Sequence, residues 1–379
     1  MERGYMKAEV LSGHFSRRPH HVRIQLLKTI CHQIFFINIY LIVLKKKKSM
    51  IYCGKMRFFI LFLLSILAYS NVAGQRRINE NKFKIVGYYF LNAALRDTAQ
   101  ADSAYLFLNK ITHLNIAFIN PDSSGYFRDD LAIDSLIKKA HGKNVKVLAS
   151  IAGGGSHAYY FALLQDNKRK IFIENLVAMV NRYQLDGIDV DLEGDDIDDN
   201  YEKFVVELAA SLHASNKIVT AAIATTYKNK LPDRALKQFD FVNVMSYDRT
   251  GPWRPQDPGD PSPFAMAVED LDYWHNVRGI PKNKLVLGLP FYGYGFGKID
   301  SPVVSMNYKQ IVARYPDELS DTMHFSDSVV MYYNSIATIK RKTRLALQKG
   351  GGVMIWQLLG DADGNRSLLS AIDNVVHRK

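Results

Sequence analysis

The chain has 379 residues, of which 47% are hydrophobic and 23% charged, with a formal net charge of +12. This is ordinary soluble composition with ample material for a core. The charge invites a nucleic-acid or membrane reading, but residues 1–74 hold 12 of the 49 Lys and Arg and only two of the 37 acids, Glu2 and Glu9. The remainder lies within about two charges of neutrality, so electrostatics make no case for a nucleic-acid partner.

The stretch "MRFFILFLLSILAYSNVAGQ", from Met56, reads as a secretory signal. Lys55 and Arg57 supply positive charge, Phe58 to Leu67 form an apolar run, and Val72, Ala73 and Gly74 offer small residues for cleavage near Gln75. The signal peptide is therefore placed at residues 56–74. Residues 1–55 stand in front of a signal that normally comes first, and they read as a spurious upstream extension or an unstructured leader, with Met56 or Met50 as the true start. A membrane anchor is the alternative, but the run "ICHQIFFINIYLIVL" is shorter than the ~20 apolar residues a spanning helix needs. Both cysteines, Cys31 and Cys53, precede the cleavage point. The mature chain would then have no thiol, which suits an oxidising compartment, and no cysteine for a lipid anchor. The expected location is secreted or periplasmic, with no membrane association after signal removal.

From Phe83 a rhythm of short apolar runs appears: "FKIVGYYF" (83–90), "ITHLNIAFIN" (111–120), "VKVLASIAGG" (145–154), "GIDVDLEG" (187–194), "KIVTAAIA" (217–224), "FVNVMSYD" (241–248), "LVLGLPFYG" (285–293) and "GGVMIWQLLG" (351–360). Stretches with helical spacing lie between most of them, among them "DSLIKKAHG", "NLVAMVNRYQ", "YEKFVVELAASLHA" and "LDYWHNV". Eight buried-looking strands alternating with helices predict an α/β fold, a single (β/α)8 TIM barrel. A doubly wound open sheet is the competitor, and no Gly-rich phosphate fingerprint follows the first strand to support it. The long link from Phe296 to Lys349 holds the seventh helix in "SIATIKRKTRLALQK" and, before it, a short insertion between strands seven and eight.

Functional residues of such a barrel belong at the carboxyl ends of its strands. Those ends read Tyr88 and Tyr89, Phe118, Gly153 to Gly155, Glu193, Tyr247 and Asp248, Tyr292, and Trp356. Strand four is the most telling. Alternation sends Ile188, Val190 and Leu192 to one face and Gly187, Asp189, Asp191 and Glu193 to the other. Three carboxylates so close cannot all ionise cheaply; one pKa must rise, and an acid kept protonated near neutral pH is what general acid catalysis requires. Glu193, the outermost, is best placed to meet a substrate. The triplet with Gly194 also resembles the start of a calcium loop, but Asn200 stands where that loop needs a bidentate Glu. Asp195 to Asp199 read as a solvated surface loop. The seven histidines after the signal are scattered without a His-x-x-x-His pair, so neither metal nor other cofactor is expected.

Strand four also resembles the signature of the chitinase-like glycoside hydrolases of family 18, Asp-Gly-x-Asp-x-Asp-x-Glu, matched by Asp186, Gly187, Asp189, Asp191 and Glu193. "KVLASIAGG" is similar to the family's third strand, with Ser150 and Gly153 in place, and "MSYD" to its sixth, with Met245, Tyr247 and Asp248. The resemblance implies one catalytic domain over residues 83–378 and a retaining mechanism in which the substrate's own N-acetyl group is the nucleophile. Carried over, Glu193 is the acid and base, Asp191 holds the N-acetyl group, Asp189 shares a proton with Asp191, and Tyr247 bonds the acetamido oxygen. Trp356 floors the sugar site, with Asp248, Met245, Tyr88, Phe118, Gly153 and Tyr292 as further substrate contacts. The implied activity is a chitinase acting on β-1,4-linked N-acetylglucosamine polymers or oligomers. The alternatives are an endo-β-N-acetylglucosaminidase on N-glycans or peptidoglycan-related glycans, and a non-catalytic chitin-binding lectin. The only partner expected is the glycan, bound by a monomer. Ala152 stands where the third-strand motif usually has its first Gly, Leu192 where Trp is frequent, and only three tryptophans exist, Trp253, Trp274 and Trp356. With so short an insertion, these predict a shallow groove.

Overall fold

Runs such as "FKIVGYYF" and "LVLGLPFYG" are apolar on both faces, which only a sheet covered on both sides can bury. In the computed structural model, which describes residues 83–90, 103–128, 131–298, 301–314, 320–326 and 328–377, those runs become the strands of a closed parallel barrel. They are β1 (Lys84–Phe90), β2 (His113–Ala117), β3 (Lys146–Ala152), β4 (Gly187–Asp191), β5 (Ile218–Ile223), β6 (Phe241–Val244), β7 (Leu285–Pro290) and, as the eighth barrel strand, β12 (Gly352–Trp356). Their order round the barrel is β1-β12-β7-β6-β5-β4-β3-β2. The (β/α)8 barrel expected from the sequence is the observed fold. The segments expected to be a leader and a signal peptide, and both cysteines, lie outside the described residues.

Apolar side chains divide into two cores. The larger lies between strands and helices and includes Ile188, Val190 and Leu192, as the alternation required. The smaller contains Val86, Tyr88, Ala117, Phe241, Tyr247, Val286 and Met354. Helix spacing explains the outer layer. In α4 (Tyr201–His213), Tyr201, Phe204, Val205, Leu208, Ala209 and Leu212 are buried, an i, i+3, i+4 stripe. The other helices of the layer include α1 (Leu131–His141), α2 (Ala158–Leu163), α3 (Arg169–Arg182), α5 (Asp233–Leu236) and α6 (Phe264–Asp272).

The seventh run does not continue to Gly293 as expected. Pro290 has no N–H for a ladder; Phe291 still donates its N–H to Trp356 O at 2.8 Å, but its carbonyl accepts from Tyr308 N at 2.9 Å, outside the barrel. Tyr292 therefore opens a separate strand, β8 (Tyr292–Phe296). With β9 (Val304–Asn307), β10 (Thr322–Ser326) and β11 (Val329–Tyr333) it forms an antiparallel sheet of order β10-β11-β8-β9, accompanied by α7 (Tyr308–Arg314). That is the insertion.

The seventh barrel helix, α8 (Ile336–Lys349), begins at Ser335, whose side chain accepts from Thr338 N; α9 (Leu368–Val376) ends the fold. Lys342 of α8 is 0% exposed. Its ammonium donates to Ser262 Oγ and Asn334 Oδ1, both at 2.6 Å, and to Ser262 O. Ser262 Oγ in turn donates to Ser246 O at 2.6 Å, tying α8 to the segment that carries Tyr247 and Asp248. Burial pushes the Lys342 pKa from 10.5 down to about 8, opposed by Asp260, Asp321 and Asp270 nearby. Lys342→Met keeps the bulk but leaves Asn334 Oδ1 without its Lys342 donor and the Ser262 carbonyl with only Asn334 Nδ2, at 3.1 Å. It should cost about 3 kcal/mol of stability, read as a lower urea midpoint at unchanged slope. A shift below about 1 kcal/mol would show that the network contributes no more than an apolar contact does.

Candidate active site

β4 lies between β3 and β5, and register alone gives Asp189 its first neighbours: Ser150 pairs with it on one side and Thr220 on the other. Asp189 is fully buried and accepts four hydrogen bonds. Oδ2 takes the Tyr88 hydroxyl at 2.6 Å and the Ser150 hydroxyl at 2.8 Å; Oδ1 takes the Thr220 hydroxyl at 2.5 Å and Asn243 Nδ2 at 3.1 Å. Burial pushes its pKa up, and these four donors, all favouring the charged form, pull it back. Burial outweighs them and the net shift is upward, while the four donors fix the carboxyl in place. No hydrogen bond joins Asp189 to Asp191 among the described residues, and the charge of Asp189 raises the Asp191 pKa.

Asp191 is the opposite case. It is 2% exposed, and its Oδ1 has no hydrogen-bond partner among the described residues. Burial first, then the charges of Glu193 and Asp189, push its pKa well above the usual carboxylate range. Asp191 is the acid whose charged form this site disfavours most strongly. Glu193 lies two residues past the strand end in extended backbone (φ −126°, ψ 160°) and is half-buried. Its carboxyl is also pushed up, mainly by burial, while the amides of Gly154 and Gly155 oppose the rise. A buried acid coupled to an accessible one lets the pair share a proton that can be delivered at the barrel mouth while an anion is retained beneath it.

Aromatic groups from the other strands close around this pair. Trp356, at the end of β12, is half-buried, and its ring lies 5.3 Å from those of Tyr88 and Phe90 and 5.7 Å from that of Phe118. The Tyr247 hydroxyl has one described partner, Met354 Sδ at 3.8 Å, a weak acceptor that leaves the phenol available. Its ring meets Tyr292 edge-on at 6.2 Å. Asp248, exposed and at φ 62°, accepts from the Tyr292 hydroxyl at 2.5 Å and the Tyr294 hydroxyl at 3.1 Å. Met245 is half-buried and packs on the inner core.

Two expected substrate contacts belong instead beneath the site. Tyr88 is 0% exposed with its hydroxyl committed to Asp189, so it supports the acids from below. Gly153 is buried: a Cβ there would come within 2.0 Å of the Phe118 ring, and its N–H donates to Asp191 O at 2.9 Å. The run after Glu193 also needs correction. Asp196 is 3% exposed rather than solvated, because both its oxygens accept the His157 N–H at 2.9 Å. Sequence reading missed Thr220 and Asn243, although both lie on strands it had identified. It also missed half-buried Tyr227, whose pKa is raised first by burial and then by Glu193 and Asp191 nearby. Among the described residues no group of three His, Cys, Asp or Glu could hold a metal ion. With Asp189 fully committed, the calcium-loop reading has lost its first ligand.

A closed (β/α)8 barrel with an acid pair and aromatic walls at the carboxyl ends of its strands defines a protein of the glycoside-hydrolase class. The model of glycosyl hydrolases family 18 matches residues 84–361, and the chain belongs to that family. It is similar to the crystal structure of a family 18 chitinase from the chitin utilization locus of Flavobacterium johnsoniae, at 34% identity and a TM-score of 0.70, covering 78% of this chain and 94% of that one. It is also similar to a chitinase-like agglutinin from Robinia pseudoacacia, at 25% identity and a TM-score of 0.64, covering 77% and 99%. A chitinase-like effector from Moniliophthora roreri is 26% identical over 239 residues, 55% of this chain; the chain spans 59% of that protein's length.

Proposed function

We propose that this protein is an exported glycoside hydrolase that cleaves β-1,4 bonds beside N-acetylglucosamine, in chitin or its oligomers, by substrate-assisted retaining catalysis. The observation that carries this reading is the unequal acid pair: Asp191 buried, with its Oδ1 lacking a hydrogen-bond partner among the described residues and its proton affinity raised, and Glu193 half-buried above it. Glu193 protonates the glycosidic oxygen as the bond to the anomeric carbon breaks. The acetamido carbonyl oxygen of the same sugar attacks that carbon, forming an oxazolinium ion, and the Tyr247 hydroxyl holds this oxygen in line. Asp191, as an anion, accepts the acetamido N–H and stabilises the positive ring. Water, deprotonated by Glu193, then opens the ring and restores the configuration. Asp189, anchored by its four donors, raises the proton affinity of Asp191 from below. Trp356 packs against the apolar face of the reacting pyranose.

The similarity to an agglutinin favours one rival from another class, a lectin on this fold. An endo-β-N-acetylglucosaminidase would share every step and differ only in the groove walls. Incubation with chitotetraose, a high-mannose glycopeptide and cellotetraose separates the readings. The expected result is hydrolysis of chitotetraose with β-anomeric product and no attack on cellotetraose. Comparable rates on the two tetrasaccharides would end the substrate-assisted mechanism. Preference for the glycopeptide would transfer the activity to N-glycans, and tight binding without turnover would make the protein a lectin.

A further inference from the structure

Four consecutive residues after β3 begins to close have positive φ: Ala152 at 66°, Gly153 at 73°, Gly154 at 74° and Gly155 at 108°. Left-handed backbone costs an L-residue about 1 kcal/mol or more, so such a run persists only where contacts hold it. Space is not the reason for glycine at 154 and 155, since a Cβ at either would meet nothing within 4 Å. The conformation is the reason, and what it achieves is a ladder between two loops. Gly153 N–H donates to Asp191 O at 2.9 Å, and Gly154 N–H to Glu193 Oε1 at 3.2 Å. The Ser156 hydroxyl donates to Glu193 O at 3.2 Å and accepts Asp195 N–H at 3.0 Å. His157 N–H then closes the ladder on Asp196 at 2.9 Å.

One rung of this ladder lands on the reactive carboxyl itself. The hydroxyl oxygen of a protonated carboxyl is a poorer acceptor than its carbonyl oxygen, so an N–H held against one oxygen favours the proton on the other. The amide of Gly154 therefore reserves Oε1 as an acceptor. We propose that the Gly153–His157 loop is a positioning element for catalysis, which fixes the Glu193 carboxyl through the Gly154 amide and assigns the transferable proton to Oε2. The inference rests on the reading of Glu193 as the acid. Proton delivery then depends on the left-handed glycines of one strand as much as on the acid of the next. The same amides oppose protonation, so loosening the loop raises the proton affinity of Glu193, whose other charged neighbours are Asp191, Asp196 and Asp248.

The test uses Gly154→Ala, Gly155→Ala and Ser156→Ala on a series of aryl chitobiosides whose leaving groups run from dinitrophenol to phenol. A departing dinitrophenolate needs no proton, whereas a sugar or phenol does. Gly154→Ala should lower kcat about tenfold on the phenyl glycoside and chitotetraose and leave the burst rate of dinitrophenolate release, the first half-reaction, within twofold of wild type. The alkaline limb of kcat/KM should move to higher pH. Ser156→Ala, which keeps the backbone and removes two rungs, should shift both readouts in the same sense, which keeps the test open if the glycine variants fold poorly. An equal loss across the whole series, with an unmoved limb, would make the loop merely structural and overturn the inference. Wild type inert on every aryl chitobioside would instead overturn the assignment of function.

Discussion

Glu193→Gln is expected to lower kcat on chito-oligosaccharides by about three orders of magnitude, within the range removed with a general acid–base group, and to leave KM within a fewfold of wild type. The amide oxygen of Gln can still accept the Gly154 N–H that now reaches Glu193 Oε1 at 3.2 Å. The carboxyl is half-buried at the barrel mouth rather than packed in the core. Fold and sugar binding should therefore survive, while the proton for the leaving oxygen and the base for the incoming water are both lost. Because both half-reactions need Glu193, a dinitrophenyl leaving group should rescue only the first, giving a burst of phenolate followed by slow turnover. Steady-state rates on a fluorogenic chitobioside, with melting temperature as the control, check the main effect. Equal rates for wild type and variant would remove Glu193 from the mechanism.

The strand-four acids were legible because alternation is a local property: Ile188, Val190 and Leu192 do pack toward the helices, and the acids occupy the other parity. What a single strand cannot reveal is who meets its side chains across the barrel. Thr220 and Ser150 became partners of Asp189 only through the register of β4 with β5 and β3, and Tyr88 and Asn243 reach it from strands not adjacent to β4. Tyr88 looked like a cleft residue because it stands near a strand's carboxyl end, yet it lies one layer too deep. The break after Pro290 was hidden by an unbroken apolar run, "LVLGLPFYG", in which only the proline marked the end of a ladder. Asp196 misled in the other direction. A run of aspartates reads as solvated surface, and nothing in its composition marks the one that caps a neighbouring loop through His157 N–H.

Asp191→Asn separates electrostatic stabilisation from proton delivery, and three measurements should move together. Turnover on N-acetylated substrates should fall about 10²–10³-fold, the loss typical when one group facing a developing charge is removed, because the oxazolinium ion would meet a neutral amide. The alkaline limb of kcat should move to lower pH. In the wild type Asp191 and Glu193 repel each other as anions, which raises the proton affinity of the pair; in the variant that repulsion is gone and Glu193 releases its proton sooner. Stability should respond in the opposite direction to activity. The Asp191 pKa is raised by folding from an ordinary 3.8, so the wild type is most stable below that value and loses stability as pH rises through the raised one. The variant has no charge to bury, and its urea midpoint should equal or exceed that of wild type at neutral pH, with a weaker decline toward alkaline pH. An enzyme made slower and sturdier by one isosteric change is the signature of a carboxylate kept buried for its charge. Near-wild-type turnover, or a variant less stable at neutral pH, would mean that Asp191 holds the fold and leaves the cation to be stabilised elsewhere.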